Sequence, residues 1–328
     1  MRVGIVGCGL VGTKRADALA GGTLVACADT DLDRARTLAA PRKARATADW
    51  REITDAADVD LVVIATPNDR LAPATLAAMR AGKHVLVEKP AARSAAEIAP
   101  VVAESEARGA LVHVGFNHRY HRAVRKAREL VDGGALGPLL FVRARYGHGG
   151  RVGYDREWRF DVTVSGGGEL IDQGVHLIDL ARWFLGDFTS VAGTARTYYW
   201  DTACDDNAFL HLETARRQIA WLHASATEWK NTFSMELYGR DGKLQVEGLG
   251  GSYGTERLTW YRMVPGMGPP ETTAWEYPMA DDSWAVEMAD FLAAIRDRRQ
   301  PSVGLRDALA ALEVVARIYE ESGHAHHP

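Results

Sequence analysis

The chain has 328 residues, of which 47% are hydrophobic and 25% charged, and carries a formal net charge of −4. That length allows two domains with a sizeable core, and the composition is ordinary for a globular protein. The absence of a basic block argues against nucleic acid as a partner, no apolar stretch approaches the roughly 18 residues of a membrane span, and Cys8, Cys27 and Cys204 follow neither disulfide nor metal spacing.

A strand expected from residue 2 leaves no room for a signal peptide. Together with three unpaired cysteines this points to a reducing, cytoplasmic setting. The run Val3 to Val6 reads as a buried first strand. It is followed by Gly7-x-Gly9-x-x-Gly12, with Leu10 and Val11 opening a helix expected over residues 11–20. In such a loop the first glycine permits a tight turn and the second lets a pyrophosphate approach the main chain. The third lets helix and strand lie close, and the helix N-terminus faces the phosphates. Asp29 closes the next strand, LVACAD, where a carboxylate accepts hydrogen bonds from the adenosine ribose. It favours NAD, since Asp29, Asp31 and Asp33 would repel a 2′-phosphate; NADP stays as the alternative, because Arg34 could swing in. The other reading of the motif is a glycine-rich turn with no ligand.

Alternation continues through a helix carrying Arg34 to Leu38, a strand DLVVIAT, and a helix over residues 72–81 stopped by Gly82. A strand HVLVEK comes next, then a helix capped by Ser94 with Glu97 three residues on, ended by Gly109, and a strand ALVHVGF. This βαβ order predicts an α/β domain with a doubly wound parallel sheet over residues 1–120. Arginines between Arg119 and Arg128 lie on a predicted helix face. Residues 121–303 read as an α+β domain with a large open, mainly antiparallel sheet. Its strands are FVRARYGH, TSVAGTARTYYW, NAFLHLET, QIAWLHASA and TFSMELYG, with one helical segment over 168–185. Helices over 284–298 and 304–322 follow, and the last is expected to pack back on the first domain. The tail, residues 324–328, is expected to fray rather than to bind metal.

Two clusters carry chemistry. Glu88-Lys89-Pro90 ends the fourth strand, which places an ammonium at the crevice where it stabilises negative charge on a substrate oxygen; alternatively Lys89 is a surface side chain beside a turn. Pro90 forces Lys89 out of helical geometry and allows a cis bond. Asp172 and His176 stand four apart, on one face if the segment is an α-helix. Ile171, Val175, Ile178 and Leu185, with Leu170 and Leu177, form its buried stripe. The imidazole suits proton transfer, and the carboxylate either orients it or grips a substrate hydroxyl. Alternatives are a helix-dipole Asp, a core histidine, or two zinc ligands that lack a third. Tyr146 to Phe160 is rich in Arg, His and aromatic residues. His148 and Arg159 within it are candidate substrate contacts, unless the segment is a solvated loop.

Together these residues resemble the Gfo/Idh/MocA oxidoreductase family. The resemblance is carried by VGIVGCGLVG, ATPN (Ala65 to Asn68), AGKHVLVEKP (Ala81 to Pro90), GFNHRY (Gly115 to Tyr120) and GGGELIDQGVHLIDLARW. It implies a Rossmann domain followed by an open-sheet domain, and hydride transfer between a nicotinamide cofactor and a ring hydroxyl of a sugar or cyclitol. It also implies catalytic roles for Lys89, Asp172 and His176, with Thr66, Pro67, Asn68 and Glu88 beside the cofactor and Asn117 and Arg119 joining the domains. The expected mechanism has His176 removing the hydroxyl proton and Lys89 stabilising the alkoxide. Nucleotide-sugar or aminosugar substrates, and a non-catalytic nicotinamide-binding sensor, are the alternatives. The resemblance further implies a homodimer or homotetramer built through the open sheet. There are two departures: Leu71 stands where a histidine commonly follows the TPN motif, and His121 stands where a proline often follows the Arg-aromatic pair.

Overall fold

The computed structural model describes residues 1–324. Six strands form a parallel sheet in the order β3-β2-β1-β4-β5-β6. They are β1 (Arg2–Val6), β2 (Thr23–Ala28), β3 (Arg45–Thr47), β4 (Leu61–Ile64), β5 (His84–Glu88) and β6 (Val112–Gly115). Ile5, Val62, Val63, Leu86 and Val87 are fully buried, because helices cover both faces of this sheet. The helices are α1 (Leu10–Asp17), α2 (Leu32–Ala39), α3 (Arg51–Thr54), α4 (Asn68–Arg80) and α5 (Ala95–Arg108). Strand order reverses between β1 and β4, so the ligand crevice opens beyond their carboxyl ends.

Some boundaries differ from expectation. α1 stops at Asp17 rather than residue 20, because Ala20 and Gly21 adopt positive φ and turn the chain into β2. α4 starts at Asn68, with Pro67 as its N-cap and Leu71 fully buried on its inner face. β3 is three residues long, too short to show alternation. Ser94 caps α5 by accepting from the Glu97 N–H; the Glu97 carboxylate also reaches the Arg93 N–H, at 2.9 Å.

The second sheet has eight strands, ordered β14-β13-β12-β11-β7-β10-β9-β8. The five expected strands are β7 (Leu139–Gly147), β8 (Phe188–Arg196), β9 (Asn207–Thr214), β10 (Ile219–Ser225) and β11 (Thr232–Gly239). Sequence reading missed β12 (Gly242–Glu247), β13 (Glu256–Arg262) and β14 (Glu271–Tyr277). Charged pairs stabilise the outer two across the sheet: Arg257 meets Glu276 and Arg262 meets Glu271. Their polar content hides the alternation. Neighbours run antiparallel except β7 and β10, which are parallel, so the carboxyl ends of these two central strands lie together.

Helix α6 (Arg122–Asp132) lies against β12 to β14. The expected helix over 168–185 is a π-helical run, Leu170–Gly174, leading into α8 (Val175–Leu185), with the short α7 (Val162–Ser165) ahead of it. Ile171, Val175, Leu177, Ile178, Leu180 and Ala181 are all buried, since α8 sits between sheet and Rossmann half. The last two helices are α9 (Ser283–Asp297) and α10 (Leu305–Ser322). α9 packs Met288, Phe291 and Ala294 onto Ile5, Cys27 and Leu86 of the first sheet. α10 spans both halves, touching α5 and β6 on one side and α8 and β8 on the other. No helix among the described residues is long and apolar enough to cross a membrane.

Candidate active site

The glycine loop connects β1 to α1, and each glycine has its own reason. Gly7 has φ +94°, and a Cβ there would meet the Ala65 carbonyl. At Gly12 a Cβ would stand 1.9 Å from the Gly7 carbonyl oxygen. Gly9 differs, because a Cβ there meets nothing within 4 Å. Protein packing does not require this glycine, and its missing side chain leaves the loop open to a group lying over it. α1 has no side-chain cap and no acidic residue in its first turn, leaving the N–H groups near Leu10 and Val11 for an anion. Asp29 accepts from the Cys8 N–H at 2.7 Å and the Asp31 N–H at 2.9 Å, which fixes its carboxylate beside the loop. Arg34 is held 3.3 Å from Asp31. These residues fit a dinucleotide whose ribose carries free hydroxyls.

Lys89 leaves the end of β5 through a cis bond to Pro90. Its ammonium donates to the Asp172 carbonyl at 2.6 Å and to Asp172 Oδ1 at 2.5 Å. The π turn makes the first contact accessible, since its wider winding shifts carbonyls out of α-helical register. Arg159 Nε lies 3.2 Å from Asp172 Oδ2. Burial alone would raise the Asp172 pKa, but Lys89 and Arg159 hold it down to about 2. A carboxylate flanked by two cations does not orient the imidazole. Asp172 and His176 make no hydrogen bond to each other, and the expectation that they share one α-helical face is corrected by the π turn between them.

His176 is buried, with its Nδ1 shut off from solvent and without a partner among the described residues. Its ring stacks on His118 at 3.8 Å between centroids, and the edges of Phe116 and Tyr146 lie within 6.1 Å. Burial first, then the charges at Lys89 and His121, push its pKa well below the ordinary value. It is therefore neutral and able to accept a proton. Lys89 acts on this imidazole from its seat on the Asp172 carbonyl, four residues before His176.

The structure places the remaining sequence-predicted residues variously. Thr66 and Pro67 lie at the β4–α4 junction, beside Gly7. Asn68 donates to the Ser165 carbonyl at 2.8 Å, and Asn117 donates to Ser283 Oγ at 3.0 Å; both amides serve contacts between segments. Glu88 turns its carboxylate inward onto Arg15, which also meets Glu287 of α9 at 2.5 Å. Arg119 forms a two-pronged pair with Asp179 of α8, at 2.8 and 2.5 Å. His148 and Arg159 both reach the Asp172 side, with His148 Nε2 lying 3.3 Å from Tyr154 Oη.

A profile described as an oxidoreductase family with an NAD-binding Rossmann fold matches residues 1–116. The GFO/IDH/MocA C-terminal domain matches residues 124–245. Inositol 2-dehydrogenase 3 of Saccharopolyspora erythraea is 30% identical over 77% of this chain and 72% of its own length. The chain belongs to the Gfo/Idh/MocA oxidoreductase family. Levoglucosan dehydrogenase of Pseudarthrobacter phenanthrenivorans is 36% identical over 46% of the chain, a match spanning 40% of that enzyme's length. A solved structure of levoglucosan dehydrogenase with NADH and L-sorbose superposes with a TM-score of 0.87 at 23% identity, covering 98% of this chain and 97% of that one; at that identity it shows the fold. As a Gfo/Idh/MocA protein with Asp29 beside its glycine loop, the chain is an NAD-binding oxidoreductase.

Sequence reading missed three residues of this Gfo/Idh/MocA site. His118 sits under His176. Asp205 accepts from the Gly168 N–H at 2.9 Å and the Leu170 N–H at 2.7 Å, clamping the start of the π run. Glu169 lies buried at its N-cap. The histidine and Glu169 had a signal, as parts of GFNHRY and GGGELIDQGVHLIDLARW; Asp205 depends on partners far away in sequence.

Proposed function

We propose that this protein is an NAD-dependent dehydrogenase acting on a ring hydroxyl of a neutral sugar or cyclitol. The observation that carries the reading is the anchoring of Lys89 on Asp172, one helical turn before a buried, neutral His176. Lys89 has three N–H donors and spends two on Asp172, so the third is free for the substrate oxygen. His176 takes the hydroxyl proton, and Lys89 stabilises the alkoxide as it develops. Bound NAD supplies the hydride acceptor. Asp172, ionised between two cations, keeps Lys89 aimed and presents an acceptor to a neighbouring hydroxyl. The glycine loop, Asp29 and the uncapped α1 N-terminus hold the cofactor's phosphates and ribose. The inositol and levoglucosan activities named for the relatives support a substrate among cyclic polyols.

The test is a panel of cyclitols, pyranoses and anhydrosugars offered with NAD, followed by absorbance of the reduced cofactor. Turnover of at least one cyclic polyol is expected. Tight NAD binding without turnover of any would favour the sensor reading.

The open face of the second sheet supports a homo-oligomer. Phe141, Phe209 and Trp221 are 38%, 38% and 55% exposed there, and a groove of about 620 Å³ runs past Phe141, His211 and Trp221. A second copy of the chain covering this face would bury these rings.

A further inference from the structure

Glu169 is a group the proposed chemistry leaves unused. It lies three residues before Asp172 and is about 1% exposed. Its backbone is fixed, since its N–H donates to the Asp205 carbonyl at 2.9 Å. Among the described residues no donor reaches its carboxyl, and Oε1 is shut off from solvent. The closest approach is His148 Nε2, at 3.6 Å from Oε1. His148 Nδ1 accepts from the Gly150 N–H at 2.9 Å, so the neutral ring carries its proton on Nε2.

The groups facing Glu169 come from every side. They are Asp172 on its own run, Asp205 from the segment before β9, Lys89 from β5, Arg159 and Tyr154 from the loop after β7, Tyr146 and His148 from the end of β7, and Tyr253 from the loop after β12. Both cations are already engaged by Asp172, at 2.5 and 3.2 Å. An ionised Glu169 would be a second, unpaired carboxylate beside the first. Burial, then Asp172 and Asp205, raise its pKa well above the ordinary value. The neighbouring Asp172, His148 and Arg159 side chains are 16%, 15% and 32% exposed, so this wall opens on the crevice.

We propose that Glu169 is a specificity-determining residue which, as a neutral carboxylic acid, hydrogen-bonds a ring hydroxyl of the substrate away from the reacting carbon. A protonated carboxyl offers one donor and one acceptor, the same pair a hydroxyl offers, and Glu169 has no protein partner for either. The carbon that loses hydride is addressed by Lys89 and His176; Glu169 reads a second position on the ring and so selects which hydroxyl is presented. This rests on the dehydrogenase reading.

The experiment uses inositol and levoglucosan as probes, with wild type, Glu169→Ala and Glu169→Gln. In Glu169→Ala the polyol KM rises about tenfold, kcat falls much less, and NAD affinity is unchanged. Glu169→Gln, which keeps a donor and an acceptor, restores KM. Wild-type KM climbs as pH rises and Glu169 loses its proton, while the Gln variant lacks that climb. An infrared carbonyl band of a protonated carboxyl, seen at neutral pH in the NAD-bound protein, disappears in Glu169→Gln. Wild-type KM in Glu169→Ala, an identical pH profile in Glu169→Gln, or absence of the band overturns the inference and leaves the dehydrogenase reading standing. If wild type turns over no cyclic polyol but still shows the band, the dehydrogenase reading fails and the specificity role goes with it.

Discussion

Single atoms decide most of what this site does, and the glycine loop gives the cleanest separation of fold from function. Gly9→Ala adds a Cβ to open space, so thermal stability should be unchanged while NAD affinity, followed by protein fluorescence, drops at least tenfold. Gly12→Ala drives a Cβ into the Gly7 carbonyl, so stability itself should fall. Lys89→Ala and His176→Ala should each lose roughly 10²–10⁴ in turnover while NAD affinity survives; wild-type turnover in either variant removes that residue's assigned role. Asp172 couples the site to pH. Its pKa is depressed to about 2 from an ordinary 3.8, so its contribution is fully present above about pH 4 and is lost as pH falls towards 2. Urea unfolding of wild type and Asp172→Asn should show a stability gap that narrows by about 2 kcal/mol over that interval. The glycines and Asp29 were readable from sequence because the loop they build is set by local backbone geometry. The Lys89–Asp172 pair was not, since 83 positions separate its members and no periodicity joins them; family resemblance alone pointed to it.

Among the elements, α8 is the most constrained. It is apolar almost all round, yet carries Asp179, 1% exposed and paired with Arg119. Removing Asp179 leaves the buried Arg119 guanidinium with Asp307, 3.2 Å away, as its remaining carboxylate, a cost of up to about 3–5 kcal/mol. Asp179→Ala should therefore destabilise the protein by that amount in urea, whereas Arg119→Met combined with Asp179→Leu should recover much of it. The helices were largely legible from caps and apolar spacing; Gly109 ends α5 at φ +64°, as its position implied. The π turn was not, because one extra residue per turn leaves no mark in a sequence that reads well at either period. It has a local cause in the structure: Asp205 clamps the N–H groups of Gly168 and Leu170, while Lys89 binds the Asp172 carbonyl. β13 and β14 escaped notice for another reason. β14 is the edge strand and β13 its neighbour, and both carry charge on both faces, which erases the alternation that identified the central strands.

For the whole molecule, the open sheet face makes the assembly testable. Phe141→Glu with Trp221→Glu should shift sedimentation towards the monomer without unfolding the chain, since both rings point to solvent in the isolated subunit. The two-layer plan was legible from the switch between βαβ alternation and alternating strands. Of the ties between the layers, sequence reading expected the last helix to pack back on the first domain and did not foresee the return of α9. The last two helices, α9 and α10, return to the first sheet after the second is complete, α9 through Phe291 and through Glu287 on Arg15. The order of synthesis inherits a consequence from this. The nucleotide-binding half leaves the ribosome first, but its outer helix is encoded beyond residue 282. A nascent chain must therefore wait, with one flank of that sheet uncovered, until residues 283–297 have emerged.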